Sequence, residues 1–247
     1  MLNPNPAATT PPRTAASLTQ IAVSGNGVMG QLVRKALEAD PTLEFTGSIG
    51  PGDFPVLDAL PASPDGIIDF SHPDCLSGII DYVTAQAESG RRIPVVIATT
   101  GYSEPQVDQI QQLAKLVPVV FSSNFSPGVT ILTQLLRELT PMMNDWDIEI
   151  VETHHNRKLD APSGTALTLA KALDRNDIGI HSLRGGDVRG VHEIMFFGPG
   201  ETLTLKHEAL DRGLFAAGAV KAMKFALNQE NPGLFGMGDV MFLTEKS

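Results

Sequence analysis

Ile21-Ala22-Val23-Ser24-Gly25-Asn26-Gly27-Val28-Met29-Gly30 decides the fold. A short apolar run stops at Gly25, and a G-x-G-x-x-G turn follows. Val28, Leu32, Val33, Ala36 and Leu37 then recur at three- and four-residue spacings, the period of a helix with one apolar face. The order is strand, glycine turn, helix. Glycines there permit the tight turn, the close approach of backbone to a pyrophosphate, and close packing of helix on strand. The helix N-terminus adds unpaired N–H groups and a partial positive charge. In this context Gly25, Asn26, Gly27, Val28, Met29 and Gly30 are expected to bind a dinucleotide. The plain alternative is a turn whose glycines serve conformation alone.

Outward from that unit the pattern repeats. Leu43 to Ile49, Ile67 to Phe70, Ile93 to Ala98 and Pro118 to Phe121 read as strands. Between them, Ser71-His72-Pro73 opens a helix over Leu76, Ile79, Ile80 and Val83, and Ser103 caps another with Gln106 three residues on. Such alternation implies a parallel sheet covered by helices. Ligands bind at the carboxyl ends of its strands, here the loops at 24–30, 50–53, 70–73, 99–101 and 122–126. The style then changes. A helix over 127–139 precedes Trp146-Asp147-Ile148-Glu149-Ile150, whose period of two suggests a half-buried strand. A helix from Ser163 to Arg175 follows. Val188 to Phe197 and Glu201 to His207 form an antiparallel hairpin around Gly198-Pro199-Gly200. A helix spans Asp211 to Leu227, and Val240 to Leu243 could return to the first sheet. The expected class is α/β: a Rossmann-type parallel-sheet dinucleotide-binding domain (20–126 and 213–247) and an α+β domain (127–212), behind a disordered tail (1–19).

Acidic residues number 28 and basic ones 18, a net charge of −10. With 42% apolar and 19% charged residues the chain is ordinary globular material, which excludes disorder throughout. Its global field repels phosphate, so no nucleic-acid partner is expected. Cys75 is the one cysteine; it allows neither an internal disulfide nor a cysteine metal cluster, and suits a reducing cytoplasm. No apolar run reaches the roughly 20 residues that span a bilayer, so no membrane partner is expected. Met1 to Gln20 holds four prolines and one charge, Arg13, and reads as a tail rather than a signal or transit peptide.

Glu152-Thr153-His154-His155-Asn156-Arg157-Lys158-Leu159-Asp160-Ala161-Pro162-Ser163-Gly164-Thr165-Ala166 carries the chemistry. Two of six histidines stand beside Arg157 and Lys158, before a helix start at Ser163-Gly164-Thr165 with backbone N–H groups to offer. That combination suits an anion, most simply a carboxylate. Lys158 can donate to it or stabilise charge developing in a transition state, and a histidine can give a proton near neutral pH. The bland alternative is a chance histidine pair and a serine that only caps. No metal is expected, because adjacent histidines cannot easily share one ion and His181, His192 and His207 show no matching spacing. Cys75 reads as a packing residue, His72 as a helix start, Glu149 and Glu152 as a solvated strand face, and Met195, Phe196 and Phe197 as core or subunit contact. An NAD-selective site carries an acid at the end of the second strand. Ile49-Gly50-Pro51 stands there, Asp53 lies beyond, and no arginine is near. NADH and NADPH both remain open.

At these residues the chain resembles the 4-hydroxy-tetrahydrodipicolinate reductase (dihydrodipicolinate reductase) family. The family's run E-x-H-H-x-x-K-x-D-A-P-S-G-T-A is matched without a gap by Glu152 through Ala166. Gly27-Val28-Met29-Gly30, Thr99-Thr100-Gly101, Ser123-Asn124-Phe125-Ser126 and Arg212, Phe215 and Gly218-Ala219 match further. The resemblance implies reduction of a small cyclic dicarboxylate by NADH or NADPH, with loss of water, in cytoplasmic diaminopimelate and lysine biosynthesis. It implies His154 as proton donor, Lys158 as the group that binds and polarises substrate, and His155, Gly164 and Thr165 as carboxylate holders. Thr99, Thr100, Gly101, Ser122, Ser123, Asn124 and Phe125 would line the nicotinamide. The second domain would bind substrate and assemble a homotetramer, with a hinge between domains. The family often has a basic residue where Val28 stands and a charged selector where Gly50 stands, and Gly50 to Asp65 is short, which together imply a weakly selective cofactor pocket. Two competitors stay open: a reductase of another small carboxylate, and a silent nucleotide-binding protein.

Overall fold

The computed structural model describes residues 18–50 and 63–243. Strand β1 (Thr19–Ser24), helix α1 (Val28–Glu38) and strand β2 (Leu43–Ile49) build the first unit. Strand β3 (Gly66–Asp69), helix α2 (Leu76–Glu88), strand β4 (Val95–Ile97), helix α3 (Glu104–Leu113) and strand β5 (Pro118–Phe121) continue it. Residues 1–17 of the expected tail and most of the 50–53 loop fall outside the described residues; Thr19, the last residue of that tail, opens β1.

The five strands pair in parallel, and the sheet order is β10-β5-β4-β3-β1-β2, where β10 is Gly233–Phe235. Both faces are buried, as parallel sheets require, and the period of two sorts the side chains. Ile21, Val23, Ile68, Val96 and Val120 share one core with α1 and with α6 (Gly213–Leu227). Ala22, Ile67, Val95, Ile97 and Val119 share the other with α2 and α3. The chain runs outward from β1 to β2, then crosses back to β3 on the other side of β1. The carboxyl ends of β1 and β3 therefore flank the switch point where such Rossmann-like sheets bind ligands.

Helix α4 (Pro127–Leu139) leads to the second sheet, ordered β7-β6-β8-β9. Strand β6 (Asp147–His154) runs four residues past Ile150, where the expected strand ended, because it continues into the histidine run. Helix α5 (Gly164–Leu173) carries the chain to β7 (Gly179–Arg184), which pairs with β6 in parallel. Sequence reasoning missed β7, since Ile180 is the one apolar residue among its inward positions Ile180, Ser182 and Arg184. The expected hairpin is present as β8 (Val191–Gly198) and β9 (Glu201–Glu208). Leu132 and Leu136 of α4 and Ala166, Leu169 and Leu173 of α5 pack on Ile148, Ile150, Ile194 and Phe196.

Val240 to Leu243 does not return to the first sheet. It lies in and just after helix α7 (Met237–Phe242), capped by Asp239 Oδ2 accepting from Gly236 N at 2.7 Å. Buried Met237 and Val240 stand three apart, a helical spacing. The returning strand is β10, three residues with no room for a visible alternation.

Candidate active site

The glycine turn forms a cradle. Gly27 caps α1 in an extended conformation with no side chain bonded to the first-turn amides. A Cβ at Gly27 would meet nothing within 4 Å, whereas one at Gly25 would lie 2.3 Å from the Phe70 carbonyl oxygen and one at Gly30 1.9 Å from that of Gly25. Gly25 and Gly30 thus allow close backbone packing, and Gly27 leaves space in front of the helix N-terminus. Asn26 and Val28 are exposed beside it, and Met29 packs on the core. These residues fit the phosphates of a dinucleotide.

The next loops stand at the ends of neighbouring strands. Thr99 is buried and its Oγ1 accepts from Ser71 N at 2.8 Å, tying the β4 exit to the β3 exit. Thr100 and Gly101 are exposed. After β5, Ser122 Oγ donates to Asn124 O at 2.8 Å and Asn124 Oδ1 accepts from Ser126 N at 2.8 Å, so this turn, with Ser123 in it, holds its own shape. The Phe125 side chain belongs to the core, 2% exposed, so any part it plays in a site falls to its backbone.

The second sheet supplies the titratable groups. Ile148, Ile150, Glu152 and His154 alternate along β6 onto one face. Register places Arg184 of β7 beside His154, His192 of β8 beside Glu152, and His207 of β9 beside His192. The face is apolar under α4 and α5 and becomes polar at the end where β6 exits. Glu152 is fully buried, which corrects its reading as a solvated residue. Positions 149 and 152 differ by an odd number and so face opposite sides of a strand. The Glu152 carboxylate accepts from Arg184 Nη1 at 2.9 Å and His154 Nδ1 at 2.5 Å through Oε2, from Arg184 Nη2 at 2.7 Å and Ser163 N at 3.2 Å through Oε1, and from the Ser182 side chain.

These contacts set the proton affinities. Burial would raise the Glu152 carboxyl, but the hydrogen bonds from Arg184, Ser182 and His154 outweigh it and hold the group at about 2. Burial pushes His154 below its ordinary 6.5, against the pull of Glu152, and the charges of Lys158 and Arg184 push the same way as burial. Burial, then the charges of His154 and His207, takes His192 down to about 4. Burial also lowers His207.

The three histidines, unrelated by sequence spacing, form a row. Ring centroids of His154 and His192 are 5.3 Å apart, and those of His192 and His207 6.4 Å. His192 Nε2 lies 3.3 Å from Ser163 Oγ, the N-cap of α5, and His207 Nε2 3.2 Å from Ser126 Oγ, the N-cap of α4. Cross-strand register brings them together, and no local motif announces it.

Past β6 the chain forms the basic loop. Lys158 Nζ donates to Asp160 Oδ1 at 2.7 Å, which lowers the Asp160 carboxyl. Arg157 pairs with Asp187 in solvent at 2.7 Å. His155 Nδ1 is buried without a partner. Ser163 caps α5 by accepting from Ala166 N at 3.2 Å, a Cβ at Gly164 would meet nothing within 4 Å, and the Gly164 amide donates to the Asp160 carboxylate. Asn124 Nδ2 donates to Thr165 Oγ1 at 3.0 Å. That bond joins the turn after β5 to the first turn of α5.

The arrangement sets an open glycine turn at the end of one sheet and a basic, histidine-bearing loop at the end of the other, linked through Asn124 and Thr165. Comparison with known proteins identifies the family. The family description "Dihydrodipicolinate reductase, N-terminus" matches residues 19–125, and "Dihydrodipicolinate reductase, C-terminus" matches residues 128–241. A 4-hydroxy-tetrahydrodipicolinate reductase of Caldanaerobacter subterraneus subsp. tengcongensis is 37% identical, covering 87% of this chain and 95% of the relative. One of Alkaliphilus metalliredigens is 38% identical, covering 89% and 97%. Among solved structures, the dipicolinate-bound dihydrodipicolinate reductase from Paenisporosarcina sp. TG-14 shares the fold with a TM-score of 0.74 at 21% identity, over 92% of this chain and 100% of that one. The chain belongs to the dihydrodipicolinate reductase family and is an oxidoreductase.

Proposed function

We propose that this chain reduces 4-hydroxy-tetrahydrodipicolinate to tetrahydrodipicolinate in diaminopimelate and lysine biosynthesis, with NADH or NADPH. The reaction follows from family membership over nearly the whole described chain. In balance, a C–OH group, a hydride and a proton become a C–H bond and water. The bound dinucleotide supplies the hydride. The chain's own residues bind, orient and protonate.

Gly25 to Gly30 hold the dinucleotide phosphates on the first-turn amides of α1. The turns at Thr99 to Gly101 and Ser122 to Phe125 stand at the carboxyl ends of β4 and β5, the side on which such sheets present the nicotinamide. On the other side, Lys158 exchanges Asp160 for a substrate carboxylate, while His155 and the amides of Gly164 and Thr165 take the second. His154, oriented by Glu152, gives the proton. Lys158 and the helix start also offset charge that develops as the hydride arrives. The observation that carries this reading is the Asn124–Thr165 bond, which puts the cofactor-side turn against the substrate-side helix.

Replacing Lys158 with Ala tests it. Turnover, in a coupled assay that supplies the cyclic substrate, should fall by roughly two to three orders of magnitude. Nicotinamide binding, followed by fluorescence, should stay within about twofold. Full turnover in the variant would remove Lys158 from its role. The reading also includes a cytoplasmic homotetramer. Leu183 and Phe197 are exposed on the face of the second sheet opposite α4 and α5, and a second copy would cover them; the particle mass in solution checks this.

A further inference from the structure

Arg184 comes from the strand that the sequence did not announce, yet it sits at the centre of the site. Its guanidinium spends two N–H groups on the Glu152 carboxylate, at 2.9 and 2.7 Å. It donates two more bonds to carbonyls, that of Asp160 at 2.7 Å and its own neighbour Leu183 at 2.7 Å. The side chain is 18% exposed and Glu152 is wholly enclosed. A fork of this kind holds a carboxylate in one plane, and here the same carboxylate takes the Nδ1 of His154. Glu152 therefore divides its negative charge between a permanent cation and an imidazole that gains and loses one.

We propose that Arg184 is a positioning residue: by sharing Glu152 with His154, it fixes the imidazole's orientation and keeps its proton easy to release. The proposal rests on the reading of His154 as proton donor. A carboxylate that faced His154 alone would hold the imidazolium as a tight ion pair, a poor acid at neutral pH. A carboxylate fully satisfied by Arg184 still accepts from Nδ1, and so still fixes which nitrogen points away from it. The Asp160 carbonyl bond ties the same guanidinium to the loop that carries Lys158, so one side chain sets the relation between the two working groups.

Among the described residues the charged and titratable groups acting on His154 come from four places. They are Glu152 on its own strand, Arg184 from β7, His192 from β8, and Lys158 from the loop that follows; α5 presents the Ser163 amide to the same carboxylate. Among them Arg184 and Glu152 act on the imidazole with opposite signs. Removing each should therefore move His154 in opposite directions, which loss of packing alone would not do.

The test is a histidine titration by NMR on the ligand-free protein, followed by the pH dependence of kcat/KM. Arg184→Met should raise the His154 midpoint by about one pH unit, and Glu152→Gln should lower it by a similar amount. The alkaline limb of kcat/KM should move with it in each variant. Where Arg184→Met does not fold, Arg184→Lys keeps the charge but loses the fork, and a smaller upward shift is expected. Shifts of one sign in both variants, or none in either Arg184 variant, overturn the proposal. Opposite shifts of His154 with an unmoved activity profile would leave the charge sharing intact and overturn the proton-donor role instead.

Discussion

The glycine turn and the histidine face are built from opposite materials. At Gly25 to Gly30 the polar atoms on offer are backbone amides, and the glycines serve by the side chains they lack. A Cβ at Gly30 would stand 1.9 Å from a carbonyl oxygen. On the second sheet the working atoms are side-chain nitrogens and oxygens, drawn from β6, β7, β8 and β9. The first site is local: six consecutive residues specify it. The second exists only after three strand pairings and two helix caps have formed. Damage to the first should be steric and close to all-or-none. Damage to the second should be electrostatic, graded and dependent on pH.

Gly30→Ala gives the largest expected effect and tests the first half of the contrast. Helix α1 must back away from the turn, or the turn must open. Overpacking of this kind costs about 3 kcal/mol. The displaced amides should lower nicotinamide affinity at least about a hundredfold. Denaturant unfolding and titration with NADPH measure the two quantities. Tight binding by this variant would mean that the cradle is not the phosphate site.

The two regions also differ in how far the sequence exposes them. The parallel sheet was legible because each strand carries its own apolar run and each helix its own cap, as at Ser103 with Gln106. The loop from Glu152 to Ala166 was legible as an anion site because its charges are contiguous. The face behind it was half legible. Ile148, Ile150, Glu152 and His154 share one parity, and following it would have buried Glu152 with the isoleucines. Arg184, His192 and His207 were not legible. Their neighbours are fixed by register between strands, and hydrogen bonds of pairing leave no trace in residue spacing. The short strand β10 was lost for another reason: three residues cannot display a period.

The histidine row offers a graded test of the second half. His192 is 3% exposed and holds its proton only near pH 4 when folded, against 6.5 in the open chain. Between those values the unfolded chain binds a proton that the folded chain refuses, so stability falls as pH is lowered. The contribution is complete above 6.5 and gone below about 4. Between pH 7 and 5 this group alone should remove about 2 kcal/mol. His192→Asn keeps a polar partner for Ser163 and cannot titrate in this range. Urea unfolding at the two pH values should show a pH slope for this variant that is shallower by about that amount. An unchanged slope would place the acid sensitivity elsewhere, in His154 or His207, which shift in the same direction.

The smallest expected effect concerns the choice between the two nicotinamides, and it returns to the first region. A cradle made of backbone recognises phosphate without asking what hangs from the ribose. Discrimination needs a side chain at the end of β2: an acid for the ribose hydroxyls or a base for a 2′-phosphate. The described residues place Ile49 and Gly50 there, and Val28, 59% exposed, at the first position of α1. None carries a charge. A discriminating residue is worth a large ratio because the wrong cofactor leaves it buried and unpaired; without one, the two cofactors differ by little. The ratio of kcat/KM for NADH and NADPH should therefore stay within about tenfold, roughly 1.4 kcal/mol. A hundredfold preference would show that a charged side chain other than these three reaches the ribose, and that this site too is completed by side chains outside the glycine turn.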